Sequence, residues 1–343
     1  MANSTIFTMV GASGSGKTCY ITAMYAKMAT GFDGFTLVTD DQTRVQLEKD
    51  IYHLRKASGK ERFPDATPNA YTREFDFRLS YARKRIINFS LMDYAGGIIL
   101  SKQGTYEQFK NSLSECTALY IFIDGESLCD GDKIERIENV RYDCALAVTP
   151  LIQDFADTHE GALPPIVFVV TKSDLCMKYV NDDEIIHILR ELFSPAFCEG
   201  ATTYVCGVSL GRNISDDNYQ GRLSPVNIHI PFFLGCYHEY LNRVIALEEA
   251  ITQANKENSQ IAAKANSAME KERRKWRLFR KEDFIKKCIE EAQKAESDIR
   301  DNYTLLQSSK SLLMKLGTRL EMESDAFHTF IDGINQDRFK SID

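Results

Sequence analysis

Hydrophobic positions fall into two regimes along the chain. From Thr5 to Val208, apolar runs of strand length recur: Thr5–Val10, Phe35–Val38, Tyr71–Leu79, Arg85–Met92, Ala118–Ile123, Ile166–Val170 and Thr203–Val208. Between them, Thr18–Met28, Gln42–Ala57, Tyr106–Leu113, Ile134–Asp157, Asp183–Phe193 and Phe232–Leu247 have the length and the apolar recurrence of helices. Strand and helix in alternation predict an α/β fold, a mostly parallel sheet with helices on both faces. The second regime is helical. All eight prolines lie between Pro64 and Pro231, and beyond Phe232 only Gly235, Gly317 and Gly333 interrupt a chain rich in Ala, Glu, Lys, Gln, Arg and Leu. Leu305, Leu306, Leu312, Leu313, Leu316, Leu320, Phe327, Phe330, Ile331 and Ile334 recur at mostly helical spacing, which predicts a helical hairpin or coiled coil near the C-terminus. The expected division is an α/β domain over 1–245 and an all-helical arm over 246–343.

Composition changes this picture little. With 343 residues, 43% hydrophobic and 27% charged, the chain is of ordinary globular type. Its net charge of −7 gives the whole no bias toward nucleic acid or an anionic membrane. Nine scattered cysteines, with no C-x-x-C spacing, predict neither a disulfide framework nor a zinc site, and point to a reducing, cytoplasmic setting. No window offers the roughly 18 to 20 uncharged apolar residues of a spanning helix. The N-terminal stretch has no basic n-region, and neither a myristoylation nor a prenylation signal is present. One local feature departs from the average. Lys271, Arg273, Arg274, Lys275, Arg277, Arg280 and Lys281 against Glu272 alone give Lys271–Lys281 an excess of +6, with Trp276 and Phe279 three apart within it. That segment is either a solvated, self-packed helix face or a contact for an anionic surface or partner.

The chemistry-bearing motif is Gly11-Ala-Ser-Gly-Ser-Gly16-Lys17-Thr18, a G-x-x-x-x-G-K-[ST] pattern directly after one predicted strand and before a helix. Its glycines let the backbone wrap a phosphate with N–H groups, and the helix N-terminus directs its dipole at the anion. Lys17 bridges β- and γ-phosphates and the Thr18 hydroxyl coordinates Mg²⁺. Gly11, Ser13, Gly14, Ser15, Gly16, Lys17, Thr18 and Cys19 are the candidate contacts of the phosphate end.

Three further strand tips carry candidates. Asp93-Tyr94-Ala95-Gly96 ends the run Ile86–Met92, where Asp93 suits a Mg²⁺ site and Gly96 can donate its N–H to a γ-phosphate. Thr171-Lys172-Ser173-Asp174 ends Ile166–Val170. The Asp174 carboxylate can accept from both the ring N–H and the exocyclic amine of guanine, a donor pair adenine lacks on that edge. The Lys172 stem can lie on the base with its ammonium near the phosphate loop. At Val208-Ser209-Leu210-Gly211, Ser209 and Leu210 offer backbone N–H groups to the guanine carbonyl.

In this order, each at a strand tip, the motifs resemble the translation-factor-related (TRAFAC) class of P-loop GTPases, of which Ras-like proteins are the compact form. The resemblance covers about residues 4–247. It implies GTP and GDP binding with Mg²⁺, hydrolysis to GDP and two switch segments. The first switch of that class gives a Thr to Mg²⁺, for which Thr67 in Phe63-Pro-Asp-Ala-Thr67-Pro-Asn is preferred and Thr72 is the alternative. Lys17, Thr67 and Gly96 are then the residues expected to serve hydrolysis, and Thr18, Thr67 and Asp93 those expected at the metal. Two positions depart from the class. The water-orienting Gln is replaced by Gly97, with Gln103 as a distant substitute, so hydrolysis is expected to be slow without an activator. Ser13 stands where compact members have glycine. The segment 29–69 is also enlarged, beside the first switch. The fused arm and enlarged domain resemble large prokaryotic GTPases of multi-gene, defence-type systems. The expected function is a nucleotide-dependent switch acting on its helical arm or a protein partner, or on self-association through 246–343. A catalytically weak nucleotide-binding scaffold and a membrane-associated mechanochemical GTPase are the alternatives.

Overall fold

The structure, a computed structural model, describes residues 5–341 apart from 57–58, 65–71, 95–110, 112, 130, 213, 215–222 and 274–281. The strands are β1 (Thr5–Gly11), β2 (Phe35–Thr39), β3 (Thr72–Tyr81), β4 (Lys84–Tyr94), β5 (Ala118–Ile123), β6 (Ile166–Val170), β7 (Thr202–Gly207), β8 (Phe327–Ile331) and β9 (Ile334–Gln336). Among the described residues they form one sheet in the order β2-β3-β4-β1-β5-β6-β7-β8-β9. The centre, β4 to β7, is parallel, and β2, β3, β8 and β9 are added antiparallel at the two sides. Every residue of β5 and β6 is buried, which is why both read as unbroken apolar runs rather than as alternation.

The helices are α1 (Lys17–Met28), α2 (Asp41–Lys56), α3 (Lys133–Val140), α4 (Leu146–Thr158), α5 (Ser173–Cys176), α6 (Asp182–Leu192), α7 (Ile230–Arg273) and α8 (Glu282–Met322). The single predicted helix Ile134–Asp157 is α3 and α4 joined by a π turn at Arg141–Ala145. It starts at a reciprocal cap, in which the Asp132 side chain accepts from the Glu135 N–H while the Glu135 side chain accepts from that of Asp132. The predicted helix Tyr106–Leu113 lies almost wholly outside the described residues.

The mixed α/β sheet with a long helical segment after it is the architecture expected, with one difference. Helix stops at Met322, and Phe327, Phe330, Ile331 and Ile334 lie on or beside strands, not on a helix. Asp332-Gly333 makes the turn, with φ of 53° and 71°, the geometry of a two-residue hairpin loop. Asp332 accepts from the Gly200 N–H at 2.7 Å, and β8 pairs with β7 from Thr202–Ile331 to Cys206–Phe327. The chain divides into two compact units, Met1–Cys236 with Arg319–Ser341, and Tyr237–Thr318. The C-terminal strands therefore belong to the first unit, and α7 and α8 each begin or end in it. Among the described residues no helix is long and apolar enough to cross a membrane.

Within the first unit, the start of α7 and the end of α8 are held together. His229 Nε2 lies 2.7 Å from Glu323 Oε2, Arg319 Nη2 is 2.5 Å from Glu323 Oε1 and its Nε is 3.1 Å from Asp33 Oδ2. The Phe32 ring lies 4.4 Å from that of His229, tilted by 54°, and under Arg319 at 5.1 Å. Burial lowers the His229 pKa, against the opposing pull of Glu323. Burial alone would raise that of Glu323, but the His229 hydrogen bond and nearby cations carry it below the usual value. The neutral imidazole therefore donates to the carboxylate at pH 7. In the second unit, burial takes His238 down to about 4.

Each of these groups makes the fold acid-sensitive. A histidine whose folded pKa is depressed binds its proton first in the unfolded chain, so stability falls as pH drops below about 6.5. For His238 the loss at pH 5 is about 2 kcal/mol. The expected result is a melting temperature that falls from pH 7 to pH 5, with His238→Gln flattening that slope. A melting temperature unchanged across the window contradicts it.

Candidate nucleotide site

The phosphate loop runs from the end of β1 to the first turn of α1, and its backbone forces glycine at defined points. Gly14 and Gly16 have φ of 83° and 89°, and a Cβ at Gly11 would stand 2.6 Å from the Phe122 carbonyl oxygen. The buried Lys17 ammonium donates to the carbonyls of Gly11 and Ala12, both at 2.9 Å, so the lysine closes over its own loop. Burial lowers its pKa, and Asp93 partly offsets this. The Ser15 hydroxyl donates to the Ala12 carbonyl at 2.8 Å, while Ser13 and Gly14 are exposed at the loop's crest. Cys19 lies on α1 just behind, its thiol pushed up to about 12 by burial, which keeps it uncharged.

The structure places the Asp93 carboxylate beside the phosphate loop. β4 runs parallel to β1 with Met9 opposite Asp93, which brings Asp93, wholly buried, to the start of α1. There the Thr18 hydroxyl donates to Asp93 Oδ2 at 3.0 Å, linking residues 75 apart in sequence. A hydroxyl and a carboxylate side by side, both hard oxygen donors, fit Mg²⁺. Gly96 and Thr67 lie outside the described residues, and so do Gly97 and Gln103. The alternative Thr72 begins β3, opposite Tyr94 in register.

The base motif reaches the same loop from β6. The buried Thr171 hydroxyl donates to the Ser15 carbonyl at 2.9 Å and approaches the Ile123 carbonyl at 3.2 Å, which ties the T-K-x-D strand tip to the phosphate loop. Lys172 follows in the left-handed region, φ 50°. Its ammonium does not lie on the phosphate loop. It pairs with Asp124 at 3.0 Å and Glu126 at 2.7 Å, and these carboxylates outweigh burial to raise its pKa. Asp124 and Glu126 were not among the sequence candidates. The available signal was an acidic turn, Asp-Gly-Glu, directly after the apolar run of β5.

Asp174, on α5, and Ser209, just after β7, line one cleft of about 770 Å³, together with Asn227 and His328. The Ser209 N–H donates to the Val226 carbonyl at 3.3 Å, and its hydroxyl accepts from the Gly211 N–H. The N–H of Ser209 is thus directed into the protein, which shifts the expected contact with a base carbonyl to Leu210.

Phosphate loop, buried carboxylate and base motif, all at the carboxyl ends of parallel strands, define a P-loop GTPase domain. The family described as Double-GTPase 2 matches residues 5–206, and the chain belongs to it. No curated protein matches the chain.

Proposed function

We propose that the protein binds GTP and GDP with Mg²⁺, hydrolyses GTP to GDP, and acts as a switch whose nucleotide state sets the helical arm beyond about residue 245 or a partner bound there. The observation that carries the nucleotide chemistry is the contact of the Thr18 hydroxyl with the Asp93 carboxylate at the mouth of the phosphate loop. Nothing in a purely structural strand–helix turn calls for a buried carboxylate at that point. Thr18 and Asp93 would hold Mg²⁺, which when bound supplies positive charge against the β- and γ-phosphates. Lys17 exchanges its bonds to the Gly11 and Ala12 carbonyls for phosphate oxygens. Thr171 keeps phosphate loop and base motif in one rigid frame, Asp174 accepts from the guanine edge, and Leu210 donates to the base carbonyl.

Hydrolysis in this reading is slow. Gly97 has no side chain to orient water, so Thr67, Gly96 or an activator must complete the site. The same glycine favours a second reading, a nucleotide-holding scaffold that barely turns over. Calorimetry with GTP, GDP and ATP, with and without Mg²⁺, tests binding; equal affinity for ATP and GTP overturns the guanine reading. Single-turnover hydrolysis with and without cell extract separates the two readings, because a switch is accelerated by an activator and a scaffold is not.

A further inference from the structure

Lys172 is fixed at both ends by one turn at the tip of β5. At its backbone, Gly125 presses so closely that a Cβ there would stand 2.2 Å from the Thr171 carbonyl oxygen and 3.1 Å from that of Lys172. At its ammonium, Asp124 and Glu126 stand at 3.0 and 2.7 Å. The turn is itself braced, since Asp124 Oδ1 accepts from the Glu126 N–H at 3.0 Å and caps the short helix Gly125–Leu128. On the other side, the Thr171 hydroxyl holds the Ser15 carbonyl. A free lysine would sample many rotamers and would be drawn to phosphate as a point charge. Held this way, its four-carbon stem is fixed at both ends before any ligand arrives.

We propose that Asp124, Gly125 and Glu126 form a clamp that positions Lys172 as the platform for the guanine base and so sets guanine-nucleotide affinity. The inference rests on the GTP-binding reading above. The two carboxylates against one ammonium leave the cluster with a net charge of −1, which keeps Lys172 from competing with Lys17 for the phosphates. Fixing the stem in advance removes an ordering cost from binding. Asp124 is the stronger anchor because its side chain is 17% exposed, whereas Glu126, at 59%, is screened by solvent and salt.

A double-mutant cycle tests the clamp, because positioning residues act only through the group they hold. Asp124→Asn removes the charge and keeps an oxygen for the cap, and Lys172→Met removes the ammonium and keeps an apolar stem. Affinities for GDP and GTP are measured on the full chain by calorimetry. Asp124→Asn is expected to weaken both nucleotides equally, by about tenfold, and to add less than about twofold in the Lys172→Met background. An equal factor in both backgrounds, no effect, or a loss confined to GTP overturns the proposal. Should Asp124→Asn fail to fold, Glu126→Gln, which leaves the cap intact, enters the same cycle with an expected loss of about threefold. A native chain that binds neither GTP nor GDP sinks the guanine reading together with the clamp. Binding without coupling sinks the clamp alone.

Discussion

Lys17→Ala is expected to lower affinity for GTP and GDP by at least about a hundredfold, the loss of two or more charge-assisted hydrogen bonds to buried phosphate oxygens. The geometry makes Lys17 hard to replace. Its ammonium already reaches across the loop to the Gly11 and Ala12 carbonyls at 2.9 Å, so it needs only a short displacement to meet an anion in the cradle. The Lys172 ammonium is no substitute, since it is committed to Asp124 and Glu126. The check is a thermal shift with saturating GDP, present in the native protein and absent in the variant, with matching circular dichroism to show that both fold. Retained ligand-induced stabilisation in Lys17→Ala would mean that the phosphates bind elsewhere.

The second large effect is on selectivity. Asp174→Asn is expected to cost about a hundredfold in GTP affinity and to leave ATP binding unchanged, erasing most of the preference. An ionised carboxylate accepts two donors at once, whereas an amide replaces one acceptor with a donor that faces guanine's own N–H groups. The residue occupies the first turn of α5, directly after a strand tip whose Thr171 is bonded to the phosphate loop, so base and phosphate ends share one frame. Competition of GTP and ATP against a fluorescent guanine nucleotide reads the ratio. An unchanged ratio removes Asp174 from the base site.

Much of the site was legible because its parts are local. A phosphate loop needs glycines at left-handed positions and a helix beginning beside a lysine, and all of this falls within Gly11–Thr18. Asp93 and Thr171 to Asp174 could be found because each ends an apolar run, and in a parallel sheet the ends of such runs converge on one edge. The Lys172 clamp escaped because its partners lie 46 and 48 residues away, and adjacency of β5 and β6 is a property of strand order rather than of either segment. Ser209 was correctly placed at a strand tip, but the Val226 carbonyl that takes its N–H could not be read from the sequence.

The C-terminus shows the same limit. Asp332-Gly333 between apolar residues is a hairpin signal, yet it follows a long helix-favouring stretch that carries the periodicity past it. What decided the outcome was the side of β7 available for pairing, together with a Phe330 ring that packs 5.2 Å from Phe197. By itself the sequence determined the α/β class, the phosphate loop and the candidate carboxylates, because these depend on periodicity and on contacts within a few residues. Only the tertiary structure decided which carboxylates hold Lys172, that His229 meets Glu323 across 94 residues, and that the chain returns to its sheet after the helices. Those contacts join positions far apart in the chain, and no local propensity encodes them.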